Sequence, residues 1–290
     1  MASLITLKRR ISSIRSTRQI TKAMELVSAS KLRRAQDVAR TTRPYREATQ
    51  QLLARLGAER ETDEWPLFQE RPIHARLYVV ITSNSGLAGA YNANVLKLLT
   101  QNLRRDATEK TTSSVIAVGS KGAQFVRRLT GIELLAYYPA FGDHPSQSAM
   151  LPVLRGAISQ YQTKAVDEVV VLYTQARSGI LQEAISLSLL PAQLEVGAHP
   201  PVLTGPATTF EPDAATVVEQ VASRLIETQL WQVVLESQAS EHAARMLAMK
   251  NATDNANELI NDYTLEYNTA RQASITQELA EITGGAEALK

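Results

Sequence analysis

Leu4, Leu7, Ile11 and Ile14 open the chain at steps of three, four and three. That spacing places all four on one helical stripe. The run from Ser3 to Leu56 has no Gly and one Pro, Pro44, so it predicts a long helix that Gly57 ends. After Ile14 the apolar positions move to Ile20, Met24 and Val27, which reads as a stutter in the seam. At the other end, Asp213 to Thr283 contains neither Gly nor Pro. As one helix this stretch would span about 105 Å at ~1.5 Å per residue. Ala239, His242, Met246, Met249, Thr253, Ala256, Ile260, Tyr263, Tyr267 and Ala270 follow one another at alternating steps of three and four. That is a heptad seam, with small residues that admit a close partner helix.

The middle of the chain has another texture. Apolar strands are expected at 76–82, 114–118, 133–138 and 168–173, with Leu187 to Leu190 as an edge strand before Pro191. Helices are expected at 92–109, 121–129 and 146–162. Strands that alternate with helices of this length imply a mainly parallel sheet. The predicted organisation is an N-terminal coiled-coil helix over 1–57, a central α/β domain over 73–206, and a C-terminal coiled-coil helix over 210–288 that pairs antiparallel with the first. A polar linker covers 58–71, and a Pro-containing loop around Pro200, Pro201 and Pro206 leads into the last helix.

Charge sharpens this picture. The net charge of +2 over 290 residues hides an asymmetry. Residues 1–56 hold thirteen Lys or Arg against three Asp or Glu, while 213–290 hold five against twelve. The balances, about +10 and about −7, suggest that the two ends pair with each other. No aromatic residue precedes Pro44, so the basic helix offers no platform for base stacking. A nucleic-acid binder using that helix remains a rival reading, and it predicts salt-sensitive binding. The chain has no Cys, hence no disulfide framework or thiolate chemistry, and no apolar run approaching ~18 residues.

Candidate chemistry is sparse. Ser83 to Asn92, SNSGLAGAYN, lies between a strand and a helix where a phosphate loop would sit, but it holds only Gly86 and Gly89. Gly119-Ser120-Lys121-Gly122 is a second such turn. Both read as structural turns. The four histidines are scattered, and Asp254, Glu258, Asp262 and Glu266 form a stripe on one helix face, so no metal site is expected. Ser178 lacks a nucleophile-elbow context. With no catalytic constellation, the residues point to a mechanical or interaction role without a catalytic site or cofactor of its own.

ITKAMELVSASKLRRAQ (Ile20 to Gln36) closely resembles the opening signature of the gamma subunits of F-type ATP synthases. SEHAARMLAMKNATDNANELI (Ser240 to Ile260) and YNTARQASITQELAEITGGA (Tyr267 to Ala286) resemble that family's C-terminal signature, and ITSNSGLAGAYNANV, VGSKG and SLLP its central markers. The family usually has Asp-Arg-Gly-Leu-Cys-Gly-Gly where this chain has Asn84-Ser85-Gly86-Leu87-Ala88-Gly89-Ala90. The resemblance implies an antiparallel coiled coil of the terminal helices with an inserted Rossmann-like α/β domain. It implies a rotary shaft inside a hexamer of alpha and beta subunits, joined to epsilon and to a membrane rotor ring, with no nucleic-acid partner. Ion-driven rotation would then be coupled to ATP synthesis or hydrolysis on the hexamer. By position, the resemblance implies partner contacts at Lys22, Met24, Arg245, Arg271, Gln272 and Thr276, and an apolar bearing at Ile275, Leu279 and Ile282. A peripheral place on the cytoplasmic face of a bacterial plasma membrane is expected. A scaffold in another machine descended from the same fold is the closer rival.

Overall fold

The structure is a computed structural model that describes residues 4–59, 66–142, 146–176, 182–192 and 214–287. Ten elements follow in order: α1 (Leu4–Glu59), β1 (Ala75–Ile81), α2 (Tyr91–Glu109), β2 (Thr112–Val118), α3 (Ser120–Val126), β3 (Glu133–Tyr138), α4 (Gln147–Gln162), β4 (Glu168–Ala176), β5 (Gln182–Leu190) and α5 (Ala214–Glu287). Helix α1 runs through Pro44 and past Gly57, its expected end, and α5 continues through Gly284 and Gly285 to Glu287. The middle of the linker (60–65), Ser178, and the loop around Pro200, Pro201 and Pro206 lie outside the described residues.

The sheet order is β3-β2-β1-β4-β5. Strands β1 to β4 are mutually parallel, while β5 pairs antiparallel with β4 as the edge strand and begins five residues before the expected Leu187. Both faces are covered, which explains the near-continuous apolar text of β1. Leu77, Val79 and Ile81 point into a core shared with α4, with Leu225, Ile226, Leu230 and Trp231 of α5, and with Val38 and Ala39 of α1. Tyr78 and Val80 point the other way, into a core with Val95 and Leu99 of α2 and Val126 of α3. Each such side chain, fully buried, contributes about 1.5–3 kcal/mol.

One polar cluster sits inside this domain. Asp106 is fully buried and accepts hydrogen bonds from Arg76, from the Tyr78 hydroxyl at 2.6 Å and from Ser113 Oγ at 2.7 Å. Arg76 also donates through Nε to Glu168 at 2.6 Å. Burial alone would lower the Arg76 pKa, but the hydrogen bond to Glu168 and the surrounding negative charge hold it above its ordinary value. The Tyr78 pKa is pushed up by burial and by its bond to Asp106. The cluster is satisfied at every charge, as a buried ion pair must be.

The chain divides into two compact units. One comprises Met1–Ser28 with Arg245–Lys290, and the other Ala29–Ala244. The division falls within both long helices.

Candidate partner-contact surface

The first unit is an antiparallel helix pair. The Arg10 guanidinium lies 5.8 Å from the Tyr263 ring centroid, Arg18 Nη1 donates to Asn257 Oδ1 at 3.2 Å, and Thr253 Oγ1 donates to Thr21 Oγ1 at 2.8 Å. Residue numbers fall on one helix as they rise on the other. On α5 the buried and half-buried positions run through Met246, Met249, Thr253, Ala256, Ile260, Tyr263, Tyr267 and Ala270, matching the expected heptad seam.

On α1 the seam departs from the expectation. Ile20 and Val27 are 61% and 53% exposed, and there is no shift of register. The buried positions are Leu7, Ile11, Thr21, Ser28 and Ala35, with Ile14 and Arg18 half-buried between them. Leu7, Ile14, Thr21, Ser28 and Ala35 repeat at seven residues throughout. The seam turns polar where Thr21 meets Thr253, so hydrophobicity stops marking it while the geometry continues. Thr21 Oγ1 donates in turn to the Arg18 carbonyl at 3.1 Å, which leaves both hydroxyls satisfied. The acidic row Asp254, Glu258, Asp262 and Glu266 is exposed, so opposite charge does not fill the seam.

The residues expected at partner contacts fall into three groups. Lys22 is exposed, and its Nζ pairs with Glu25 of the same helix at 3.1 Å. Met24 is half-buried, and its carbonyl accepts from Ser28 Oγ at 2.7 Å. Arg245 is buried within the chain. Arg271, Gln272, Ile275, Thr276, Leu279 and Ile282 form the third group, and all are exposed. The apolar three are 49%, 58% and 68% exposed. At ~100° per residue, these six fall within one sector of about 140° on α5. Thr276 Oγ1 donates to the Gln272 carbonyl at 2.9 Å, and both side chains flank the apolar stripe. Every position from 275 to 286 is exposed. The far stretch of α5 is therefore a solvent-facing helix with one apolar face, edged by a cation and two hydrogen-bonding groups.

The second unit closes the turns where a phosphate could have bound. In parallel α/β sheets, ligands sit outside the carboxyl ends of the strands where the order reverses, here between β1 and β4. The loop after β1 is tied by its own groups. Ser83 N donates to Asn92 Oδ1 at 3.0 Å, and Asn84 Oδ1 accepts from Ser120 N at 3.2 Å and from Ala140 N at 2.9 Å. Gly119 has φ +97°, and a Cβ there would overlap the Thr82 carbonyl. Helix α5 meets the same edge: the Tyr91 hydroxyl lies 2.8 Å from Ser237 Oγ, and Ala88 and Tyr91 pack on Ala244. Among the described residues no group of three His, Cys, Asp or Glu is arranged to hold a metal ion, and no helix is long and apolar enough to cross a membrane.

Sequence reasoning missed the contacts of α5 with this edge and the Arg76–Asp106 cluster. A signal existed for the second: Asp106 is a lone carboxylate on the apolar stripe of Val95 and Leu99.

The fold is two long terminal helices with an α/β domain between them in sequence. Comparison with known proteins gives its family. The family model described as ATP synthase matches residues 3–289. The ATP synthase gamma chains of Desulfitobacterium hafniense and Macrococcus caseolyticus are each 40% identical, over all of this chain and all of theirs. A chain from the cryo-EM structure of the Euglena gracilis mitochondrial ATP synthase (OSCP/F1/c-ring, rotational state 3) has the same fold. Its TM-score is 0.67 at 20% identity, covering 99% of this chain and 94% of that one. The chain belongs to the ATP synthase gamma-chain family.

Proposed function

We propose that the chain is the central rotor shaft of an F-type ATP synthase, coupling ion-driven rotation of a membrane ring to ATP synthesis or hydrolysis on a hexamer of alpha and beta subunits. Chemistry and nucleotide belong to the hexamer, and this subunit carries no nucleotide site of its own. The α/β domain joins the ring and an epsilon subunit, and the complex lies peripherally on the cytoplasmic face of a bacterial plasma membrane. The observation that carries this reading is the exposed face of α5 from Arg271 to Ile282, in a chain that matches gamma chains over its full length.

The physical requirement is differential contact. A shaft drives a site only if its contacts differ between the site's states. Arg271, Gln272 and Thr276 supply hydrogen bonds that can be made to one neighbour and released at the next angle. Ile275, Leu279 and Ile282 supply a non-directional apolar surface that slides in a sleeve. Lys22 and Met24 offer further contacts from α1. Arg245, being buried, contributes by holding α5 more than by reaching outward.

Native mass spectrometry of the tagged chain, purified in mild detergent from its own cells, tests the reading. The expected mass contains three copies each of two larger nucleotide-bound subunits, a small subunit and a membrane ring. Arrival alone or with nucleic acid would overturn it. Arg271→Ala with Gln272→Ala should lower ATP synthesis by the complex roughly tenfold, as expected for losing hydrogen bonds to charged groups.

A further inference from the structure

Three consecutive residues of α5 reach three different parts of the α/β domain. Glu236 Oε2 accepts from the Tyr173 hydroxyl at 3.4 Å and from Gln175 Nε2 at 3.3 Å, both on β4. Ser237, fully buried, shares a 2.8 Å hydrogen bond with the Tyr91 hydroxyl at the start of α2. Gln238 Nε2 donates to the Gly142 carbonyl at 2.8 Å, in the chain that follows β3. Glu236 is further linked through Gln232 Nε2 at 2.9 Å, and Gln232 Oε1 accepts from Thr42 of α1 at 3.4 Å. Successive helical residues are ~100° apart, so these bonds embrace α5 over about 200° of its circumference. The helix occupies the edge of the sheet where related folds place a ligand.

Such an arrangement resists one motion in particular. Apolar packing is non-directional and opposes separation more than it opposes turning of a near-cylindrical helix. Hydrogen bonds weaken steeply with distance and angle. A side-chain atom about 6 Å from the helix axis moves ~2 Å when the helix turns by about 20°, enough to break any of these bonds. Because the bonds lie at three azimuths, rotation in either direction stretches some of them.

We propose that Glu236, Ser237 and Gln238 form a three-sided polar collar through which torque passes between the α/β domain and α5. They are positioning residues, and the proposal rests on the rotor reading above. The Tyr173, Gln175, Tyr91 and Gly142 partners are the stationary half of the collar, and the small residues Ala239, Ser240, Ala243 and Ala244 let the helix lie deep enough to meet them.

The test uses the chain assembled with its alpha and beta subunits. The sequence has no Cys, so Lys97→Cys, at an exposed position on α2, accepts a single bead on the α/β domain. The angular variance of that bead during a pause in ATP-driven rotation measures the torsional stiffness of the shaft. Combining Glu236→Leu, Ser237→Ala and Gln238→Ala should at least double the variance. Glu236→Gln alone, which keeps an acceptor, should leave it near the unmodified value. Val233→Ala, a core truncation in the same turn, should lower thermal stability without changing the variance. If the triple variant does not assemble, Gln238→Ala alone should still raise the variance measurably. Unchanged variance in the assembled collar variants, or an equal rise in Val233→Ala, overturns the proposal while the rotor reading stands. If the unmodified complex shows no rotation, the rotor reading itself falls and the proposal with it.

Discussion

The two stretches of α5 are one helix with opposite surroundings. From Leu225 to Arg245 almost every side chain is buried or half-buried, and Leu225, Ile226, Leu230, Trp231, Val233 and Val234 complete the core beneath the sheet. From Met246 to Ala270 only a heptad stripe is covered, and from Ile275 to Ala286 nothing is. Helix propensity is similar throughout, since Ala, Gln, Glu and Leu recur along the whole length. The difference lies in what each stretch is given to pack against. The first has the stability of a globular core, whereas the second depends on one helical partner and then, among the described residues, on none. Most helical stability comes from tertiary packing, so the same helix is well supported at one end and thinly supported at the other.

This contrast can be broken experimentally. The largest effect is expected from Asp106→Ala, which removes the shared acceptor of Arg76, Tyr78 and Ser113 and leaves Arg76 only Glu168. Denaturant unfolding of the purified chain should show a loss of about 3–5 kcal/mol in the α/β domain. Leu7→Ala comes next, at ~2–3 kcal/mol. Its effect should be local, with faster hydrogen exchange in 4–28 and 245–270 and unchanged protection in the sheet. Spread of that effect into the sheet amides would mean the two regions unfold as one. Thr253→Val should cost about 1 kcal/mol by removing one partner of a buried pair, and adding Thr21→Val should recover most of it. A double variant no better than the single would show that the two hydroxyls are not coupled.

The smallest effect is one of pH. Burial would raise the Asp167 carboxyl, but backbone donation from His74 and Ala75, with Arg71 nearby, holds it below its ordinary 3.8. A depressed carboxylate stabilises the fold above its unfolded pKa, and that contribution is lost as pH falls through the folded value. Asp167→Asn should therefore lower stability slightly at neutral pH and flatten the acid limb of the stability curve below about pH 4, where the two proteins converge.

Much of this was legible in the sequence, for identifiable reasons. Strands β1, β2 and β4 are buried on both faces and so write themselves as runs of Val, Ile and Leu. The α5 seam is legible because enough of its heptad positions are Met, Ala, Ile or Tyr. The α1 seam was misread after Ile14 because Thr21 and Ser28 keep its period without being apolar, while Ile20 and Val27 are apolar but exposed. Opposite net charge of the two ends suggested pairing, yet the acidic row faces water and the helices are joined by Thr21, Arg18 and Arg10 with uncharged partners. The collar on α5 was invisible, since its partners lie between 61 and 146 residues away in sequence. The proposed contact face from Arg271 to Ile282 rests on resemblance, because an exposed stripe and a buried stripe look alike in a sequence.

The bare apolar stripe of Ile275, Leu279 and Ile282 also orders events during synthesis. The stretch of α5 that completes the sheet's core leaves the ribosome before the stripe does. The chain can thus finish its globular part while its adhesive surface is still in the exit tunnel. When that surface emerges it has no cover among the described residues, and an uncovered apolar patch favours self-association. On the proposed rotor reading, capture by partner subunits is then the last step of maturation. A cell short of those partners would accumulate this protein as aggregates or degradation products, while its α/β domain was already correctly folded.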